Sequence, residues 1–195
     1  MTDDALLRRI KNELRKRMRG LRNAAPEAAC AARSAAITTR LEALDCVQSA
    51  RSVAIFRAIT ARHEVDLEAF GASLSGRGVK VAYPAIDPET REMTFRFAAA
   101  ADLEDRGFGF AEPGPDAPLA DGLDVVVVPA LAVAPSGHRL GYGAGFYDRT
   151  LPRFCPPAVA VTVAYDYQLL AEVPVTDGDF ATSWIVTDAR ALQAE

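Results

Sequence analysis

The apolar run at residues 123–134, LDVVVVPALAVA, constrains this chain more than any other stretch, because it leads almost directly into SGHRLGYGAGFYDR at 136–149. A run so continuously apolar and β-branched reads as a strand buried on both faces, as in a parallel sheet. Such a strand delivers a glycine-spaced loop to one edge of the sheet. Gly141, Gly143 and Gly145 stand at alternate positions. Lacking Cβ atoms, they let an anion approach the main chain and permit positive φ. Arg139 before them is a cationic fork suited to phosphate oxygens, and Asp148 after them is a carboxylate suited to Mg2+. A plain glycine turn with a capping Asp accounts for the glycines. It does not account for cation, glycines and carboxylate together.

Around this centre helices and strands alternate. Residues 3–22 carry Leu7, Ile10, Leu14, Met18 and Leu21 at helical spacing, with Thr2 as N-cap. Pro26 opens a second helix running to about residue 45. Strands are expected at 52–58 and 79–86, separated by a helix from Asp66 to near Gly76 and Gly78. Residues 92–98 alternate as a half-buried edge or antiparallel strand, and 102–122, rich in Gly, Pro and Asp, form a loop with Glu112 and Pro113 as a pocket lip. A helix at 146–151, a strand at 158–165, a helical turn at 168–172 and a strand at 184–186 complete the pattern. The tail from Asp188 carries too little pattern to assign. The fold class is therefore α/β, with a mostly parallel sheet covered on both faces and a basic amphipathic helix at the N-terminus.

That first helix is the one strongly basic segment of the chain. Arg8, Lys11, Arg15, Arg19 and Arg22 fall on one side of its apolar stripe, within an arc of roughly 80°. All could reach one anion. A solvated basic face is usually the better explanation of a charge run taken alone, and the absence of interleaved aromatic residues weakens an RNA- or membrane-binding reading. Across 195 residues the net charge is −4, which gives no overall attraction to nucleic acid.

A length of 195 residues suits one domain, 1–195, and no linker or repeat divides it. Cys30, Cys46 and Cys155 form no C-x-x-C pair, and only His63 and His138 could add imidazole, so neither a disulfide framework nor a zinc site is expected. Reduced thiols, the lack of an apolar leader and the lack of a run of roughly 20 apolar residues point to a cytoplasmic protein without membrane contact. The loop at 59–65 comes after a strand, on the side where open α/β sheets bind ligands. Its Glu64 suits either a polar substrate group or a solvated helix start.

GYGAGF approaches the dinucleotide pattern G-x-G-x-x-G, yet its third glycine is one position early, and APSGHRL separates it from the apolar strand. No G-K-[ST] is present for a Walker A loop. Local physics indicates phosphate or nucleotide without naming which.

SGHRLGYGAGFYDR resembles the signature of the 5-formyltetrahydrofolate cyclo-ligase family. The likeness extends in order through Lys11 and Arg15, residues 64–67, Pro84, FGFAEP at 108–113 and DVVVVPA at 124–130. It implies a three-layer α/β/α sandwich and the ATP- and Mg2+-dependent conversion of 5-formyltetrahydrofolate to 5,10-methenyltetrahydrofolate by a monomer, with ADP and phosphate released. The formyl oxygen is phosphorylated and N10 then closes the ring. It also implies that Lys11, Arg15, Arg139, Leu140, Gly141, Tyr142, Gly143, Ala144, Gly145, Phe146 and Tyr147 bind ATP. Among these, Arg139, Tyr147 and Lys11 act in catalysis. Asp148 ligates Mg2+, and Phe56, Arg57 and Glu64 contact the folate. The chain departs from the family at His138, Ala144 and Phe146, where Asn, Gly and Tyr are frequent, and at Gly178 and Ser183, where His and Asp are. Arg139→Ala and Asp148→Ala are expected to abolish turnover with folding intact. Two other readings stand beside it: a divergent ATP-dependent ligase acting on another substrate, and a non-catalytic phosphate- or RNA-binding module built on the basic helix.

Overall fold

The computed structural model describes residues 3–107 and 109–195. The expected N-cap Thr2 and the opening Phe108 of FGFAEP lie outside them. In chain order the elements are α1 (Asp3–Asn23), α2 (Glu27–Glu42), α3 (Asp45–Gln48), β1 (Ser52–Ala54), α4 (Glu68–Gly76), β2 (Lys80–Ile86), β3 (Met93–Phe97), β4 (Glu104–Asp105), β5 (Ala111–Glu112), β6 (Val125–Pro129), β7 (Ala132–Val133), β8 (Arg139–Leu140), α5 (Phe146–Thr150), β9 (Val159–Val163), β10 (Trp184–Val186) and β11 (Ala191–Gln193).

The main sheet has the order β11-β10-β9-β6-β1-β2-β3. Its central members β10, β9, β6, β1 and β2 are parallel, and β3 and β11 add antiparallel edges. β6 shows why its sequence is apolar throughout. Val125 and Val127 pack towards α2, α3 and α4, through Ile37, Leu41, Val47, Phe70 and Leu74, whereas Val126 and Val128 pack on the opposite face with Leu151 and Cys155. All four valines are at most 1% exposed, and each buried valine contributes about 1.5–3 kcal/mol. Alternation persists at this strand, but neither face meets water. Helical segments on both faces make the three layers.

The chain leaves β1 to form β2 on one side and returns to form β6 on the other. Between β1 and β6 the direction of winding reverses, which opens a crevice at the carboxyl ends of the strands.

Three expectations need correction. First, residues 123–134 are not one strand. β6 ends at Pro129, which has no N–H to extend a ladder, and β7 turns away to pair antiparallel with β8. The hairpin is tied by hydrogen bonds from Leu131 N–H to the Leu140 carbonyl at 2.7 Å and from Ala134 N–H to the His138 carbonyl at 2.9 Å. Its turn needs Gly137, which has φ 78°, and a Cβ there would lie 2.2 Å from the Thr182 carbonyl oxygen. Second, the second helix stops at Glu42, and Asp45 starts the separate α3, where an acid suits a first turn. Third, β1 is shorter than 52–58, the turn expected at 168–172 sits at Asp166–Gln168, and the unassigned tail supplies β11.

The apolar stripe of α1 is only partly buried. Leu14 and Met18 pack on the hairpin with Leu131, Ala132 and Leu140, while Ile10 and Leu21 are 44% and 48% exposed. The hairpin is narrower than the stripe. The helix therefore turns Lys11 and Arg22, both buried, away from solvent.

Asp124 anchors the start of β6. Its Oδ2 accepts from the N–H groups of Arg51 and Ser52 at 2.8 and 2.9 Å and from Ser52 Oγ at 3.1 Å. The Arg51 N–H is the largest influence holding its carboxyl below the ordinary value, against a smaller upward push from burial. Asp124→Ala should cost about 1.5–3 kcal/mol in chemical denaturation at neutral pH. Because the folded pKa is depressed, this contribution is complete above the unfolded value of about 4 and fades as pH falls through the lower folded value. The gap between wild type and variant should therefore close in acid.

Candidate active site

A cavity of about 490 Å³ occupies the crevice at the strand carboxyl ends. Phe56 and Arg57 enter from the end of β1, Pro84 and Ile86 from β2, and Pro129 to Leu131 from the end of β6. The loop 139–148 forms one wall and α1 lies across it with Lys11, Arg15 and Arg22. Lys11, Arg15, Phe56, Arg57, Glu64 and the whole of 139–148 line this one cavity. Seven cationic side chains face three acidic ones, Glu64, Asp148 and Asp179, so the cavity attracts anions although the whole chain is acidic.

Three of the five cations expected on one arc of α1 reach the cavity. Arg8 and Arg19 remain exposed, and Arg19 Nε donates to the Arg15 carbonyl. Lys11 Nζ donates to Asp179 Oδ2 at 2.5 Å and to Thr176 Oγ1 at 3.2 Å. An ammonium has three donors, so one is left. Burial pushes the Asp179 carboxyl up, but the Lys11 ammonium and the Thr176 N–H and hydroxyl outweigh it, leaving its pKa below the ordinary value. Arg15 Nε donates to the Gly141 carbonyl at 2.9 Å and Nη1 to Asn12 Oδ1 at 2.8 Å. At Gly143, with φ 102°, a Cβ would come 3.2 Å from Arg15 Cζ. The glycine thus lets the guanidinium lie against the loop. Among the described residues, the N–H groups from Gly141 to Gly145 make no hydrogen bond, which leaves the main chain able to receive an anion.

Arg139 is not the open fork its sequence position implies. Its side chain is 3% exposed. Nη2 donates to Asp148 Oδ1 at 2.8 Å and Nη1 to the Phe180 carbonyl at 2.6 Å. Burial lowers its pKa, with Asp148 as the main opposing influence, yet an arginine remains charged. Asp148 Oδ1 also accepts from Phe180 N–H at 3.2 Å. Its Oδ2 accepts no hydrogen bond among the described residues, and its side chain is 27% exposed. No group of three His, Cys, Asp or Glu capable of holding a metal occurs among the described residues. Mg2+, however, commonly takes one carboxylate and completes its shell with phosphate and water oxygens. Asp148 fits that use.

Tyr147 packs against Phe95, with centroids 6.4 Å apart, and burial pushes its phenol well above the ordinary value. It keeps its proton. Glu64 is 8% exposed, with Oε2 accepting from Ile59 N–H at 2.9 Å and Oε1 from the Tyr142 hydroxyl at 2.7 Å. Arg57 pairs with Glu68 at 3.2 Å. Two expected lip residues are misplaced. Glu112 is fully buried, accepts from Ile86 N–H at 2.8 Å and has its carboxyl pushed up by burial; neither it nor Pro113 lines the cavity, whereas Phe110 does.

Sequence reading missed Asp179 and Arg91. Asp179 lies in a TDGD turn whose polar composition looks like solvent-facing loop, and only the fold brings it to Lys11. Arg91 comes after a turn at φ 59° and reaches the Phe146 ring at 5.9 Å.

The 5-formyltetrahydrofolate cyclo-ligase family model matches residues 8–188. The chain belongs to the 5-formyltetrahydrofolate cyclo-ligase family. A 5-formyltetrahydrofolate cyclo-ligase of Mycolicibacterium smegmatis is 44% identical over 90 residues, which span 45% of this chain and about half, 46%, of that protein. The cyclo-ligase of Escherichia coli K12 is 29% identical over 162 residues, covering 80% of this chain and 87% of that one. Among solved structures, the 5,10-methenyltetrahydrofolate synthetase of Aquifex aeolicus superposes with a TM-score of 0.83 at 26% identity, covering 95% of this chain and 93% of that one. The family match spans β6, the hairpin and α5, the elements that build the cavity wall.

The burial of Arg139 revises the expectation for its removal. Arg139→Ala should cost about 1–3 kcal/mol in urea denaturation, because it leaves the Phe180 carbonyl without its donor and Asp148 without its cation. Asp148→Asn, at a half-open position with an oxygen still able to accept, should cost about 1 kcal/mol.

Proposed function

We propose that this chain catalyses the ATP- and Mg2+-dependent cyclisation of 5-formyltetrahydrofolate to 5,10-methenyltetrahydrofolate, as one catalytic domain, with release of ADP and phosphate. One observation carries the reading. A single cavity is lined both by Lys11, Arg15 and unpaired loop N–H groups and by the apolar side chains of Phe56, Ile86, Met93 and Phe110, together with the carboxylate of Glu64. The first suits a polyphosphate and the second a planar heterocycle with N–H donors.

The formamide oxygen is a poor leaving group. In this mechanism it attacks the terminal phosphorus of ATP and ADP departs. N10 of the folate then bonds to the activated carbon and loses its proton, and phosphate leaves with the former formyl oxygen. Phosphoryl transfer depends on alignment and charge neutralisation. The remaining N–H of Lys11, the Nη2 of Arg15 and the loop N–H groups hold and neutralise the phosphates. Arg139 adds positive charge while keeping Asp148 turned so that Oδ2 is available. Asp148 would hold Mg2+ through Oδ2, and the ion would supply positive charge against the phosphates. Tyr147, held neutral, serves as a hydrogen-bond donor rather than a base. No protein nucleophile is required. A passive phosphate- or RNA-binding module would have little use for Asp148 or for the apolar side.

The test is the near-ultraviolet absorbance of the conjugated amidinium product, with protein, ATP, Mg2+ and 5-formyltetrahydrofolate present and each omitted in turn. A rise that requires all components is expected; a rise without ATP, or none at all, would refute the reading. In the same assay Lys11→Met should raise the KM for ATP about ten-fold or more, since a charge-assisted contact to phosphate is lost.

A further inference from the structure

Glu64 faces the folate side of the cavity in the proposed function, and this inference rests on that reading. Its carboxylate is held from outside its own loop. Arg22, 3% exposed and far earlier in the chain, donates from Nη2 to the Tyr142 hydroxyl and stands 3.7 Å from Glu64 Oε1. A phenol has one hydrogen. With Arg22 directed at its oxygen, that hydrogen is committed to Glu64 Oε1, at 2.7 Å. The Tyr142 ring is held in turn by the guanidinium groups of Arg62 and Arg22, 4.8 and 5.6 Å from its centroid. Burial, then the nearby Glu64 charge, pushes the phenol up, so it remains a donor across the neutral range.

Tyr142 sits between Gly141 and Gly143 in the loop whose family resemblance assigns it to ATP. Its hydroxyl serves the other substrate. We propose that Tyr142 and Arg22 are positioning residues for Glu64, and that through it they set affinity for the folate rather than for the nucleotide. The carboxylate is fixed from both oxygens, by Ile59 N–H on Oε2 and by Tyr142 on Oε1. The Tyr165 hydroxyl also fixes the Glu64 carbonyl at 3.1 Å. Each carboxylate oxygen keeps a lone pair for a substrate N–H. Without the phenol, Oε1 has only the more distant guanidinium, and the carboxylate can rotate out of alignment with the heterocycle.

A kinetic cycle of wild type, Tyr142→Phe, Glu64→Ala and the double variant tests this, with KM measured separately for each substrate. Tyr142→Phe should raise the KM for 5-formyltetrahydrofolate about ten-fold and leave the KM for ATP within about two-fold. The double variant should bind folate no more weakly than Glu64→Ala alone, because Tyr142 acts through that carboxylate. Arg22→Met should show the same folate-side effect, with thermal melting identifying any loss from misfolding. Additive effects of Tyr142→Phe and Glu64→Ala, or a change confined to the KM for ATP, would overturn the proposal. If the wild type binds the folate but does not cyclise it, the functional reading fails; the same cycle, read by quenching of protein fluorescence on folate binding, then decides this inference.

Discussion

The buried Arg139 guanidinium organises the site. It leaves the second strand of the hairpin, grips Asp148 in the first turn of α5 and caps the Phe180 carbonyl in the segment before β10. Three stretches separated along the chain meet on one cation. Its removal from water is tolerable because Asp148 offsets the charge and both terminal nitrogens donate a hydrogen bond. Loop 141–145 is suspended between these fixed points, so it can leave its N–H groups unpaired without collapsing. Rigidity at both ends of the loop makes an open anion cradle possible in the middle.

The second constraint is α1. It covers the loop through few apolar contacts, chiefly Leu14 and Met18, and otherwise reaches the protein through charged side chains: Lys11 to Asp179, Arg15 to the Gly141 carbonyl, Arg22 to Tyr142. A helix held this way is fastened by the same groups that line the cavity. Lys11 and Arg15 each retain donors, so a polyphosphate can share these contacts and need not displace them all. On the opposite side, the alternation of β6 between two apolar layers fixes the strand ends from which Phe56, Ile86 and Leu131 line the cavity. In the proposed function, affinity for the polyphosphate and affinity for the heterocycle would thus come from different parts of the fold.

Much of this was legible in the chain. Strands with continuous apolar character, such as β6 and β9, and the alternating edge strand β3 announce themselves by pattern, and the RLGYGAGFYD string marks the site. What stayed hidden has physical reasons. The run at 123–134 contains no charge at its break, only Pro129, so its division between a central strand and a hairpin is decided by tertiary packing at Gly137 and Thr182. Arg139 reads as an exposed phosphate ligand because sequence carries no sign of the Phe180 carbonyl that accepts from it. Asp179, in a polar turn, becomes part of the site only through topology. The stripe on α1 overstates burial because Ile10 and Leu21 extend beyond the width of the hairpin that receives the helix.

If this cavity activates a formyl oxygen by phosphorylating it, that oxygen must leave as part of the phosphate. The most direct test uses 5-formyltetrahydrofolate carrying heavy oxygen in the formyl group, with the released phosphate analysed by mass spectrometry. The expected result is that the label appears in inorganic phosphate in step with ring closure and ADP formation. Phosphate free of the label, with the heavy oxygen released into water, would contradict the mechanism.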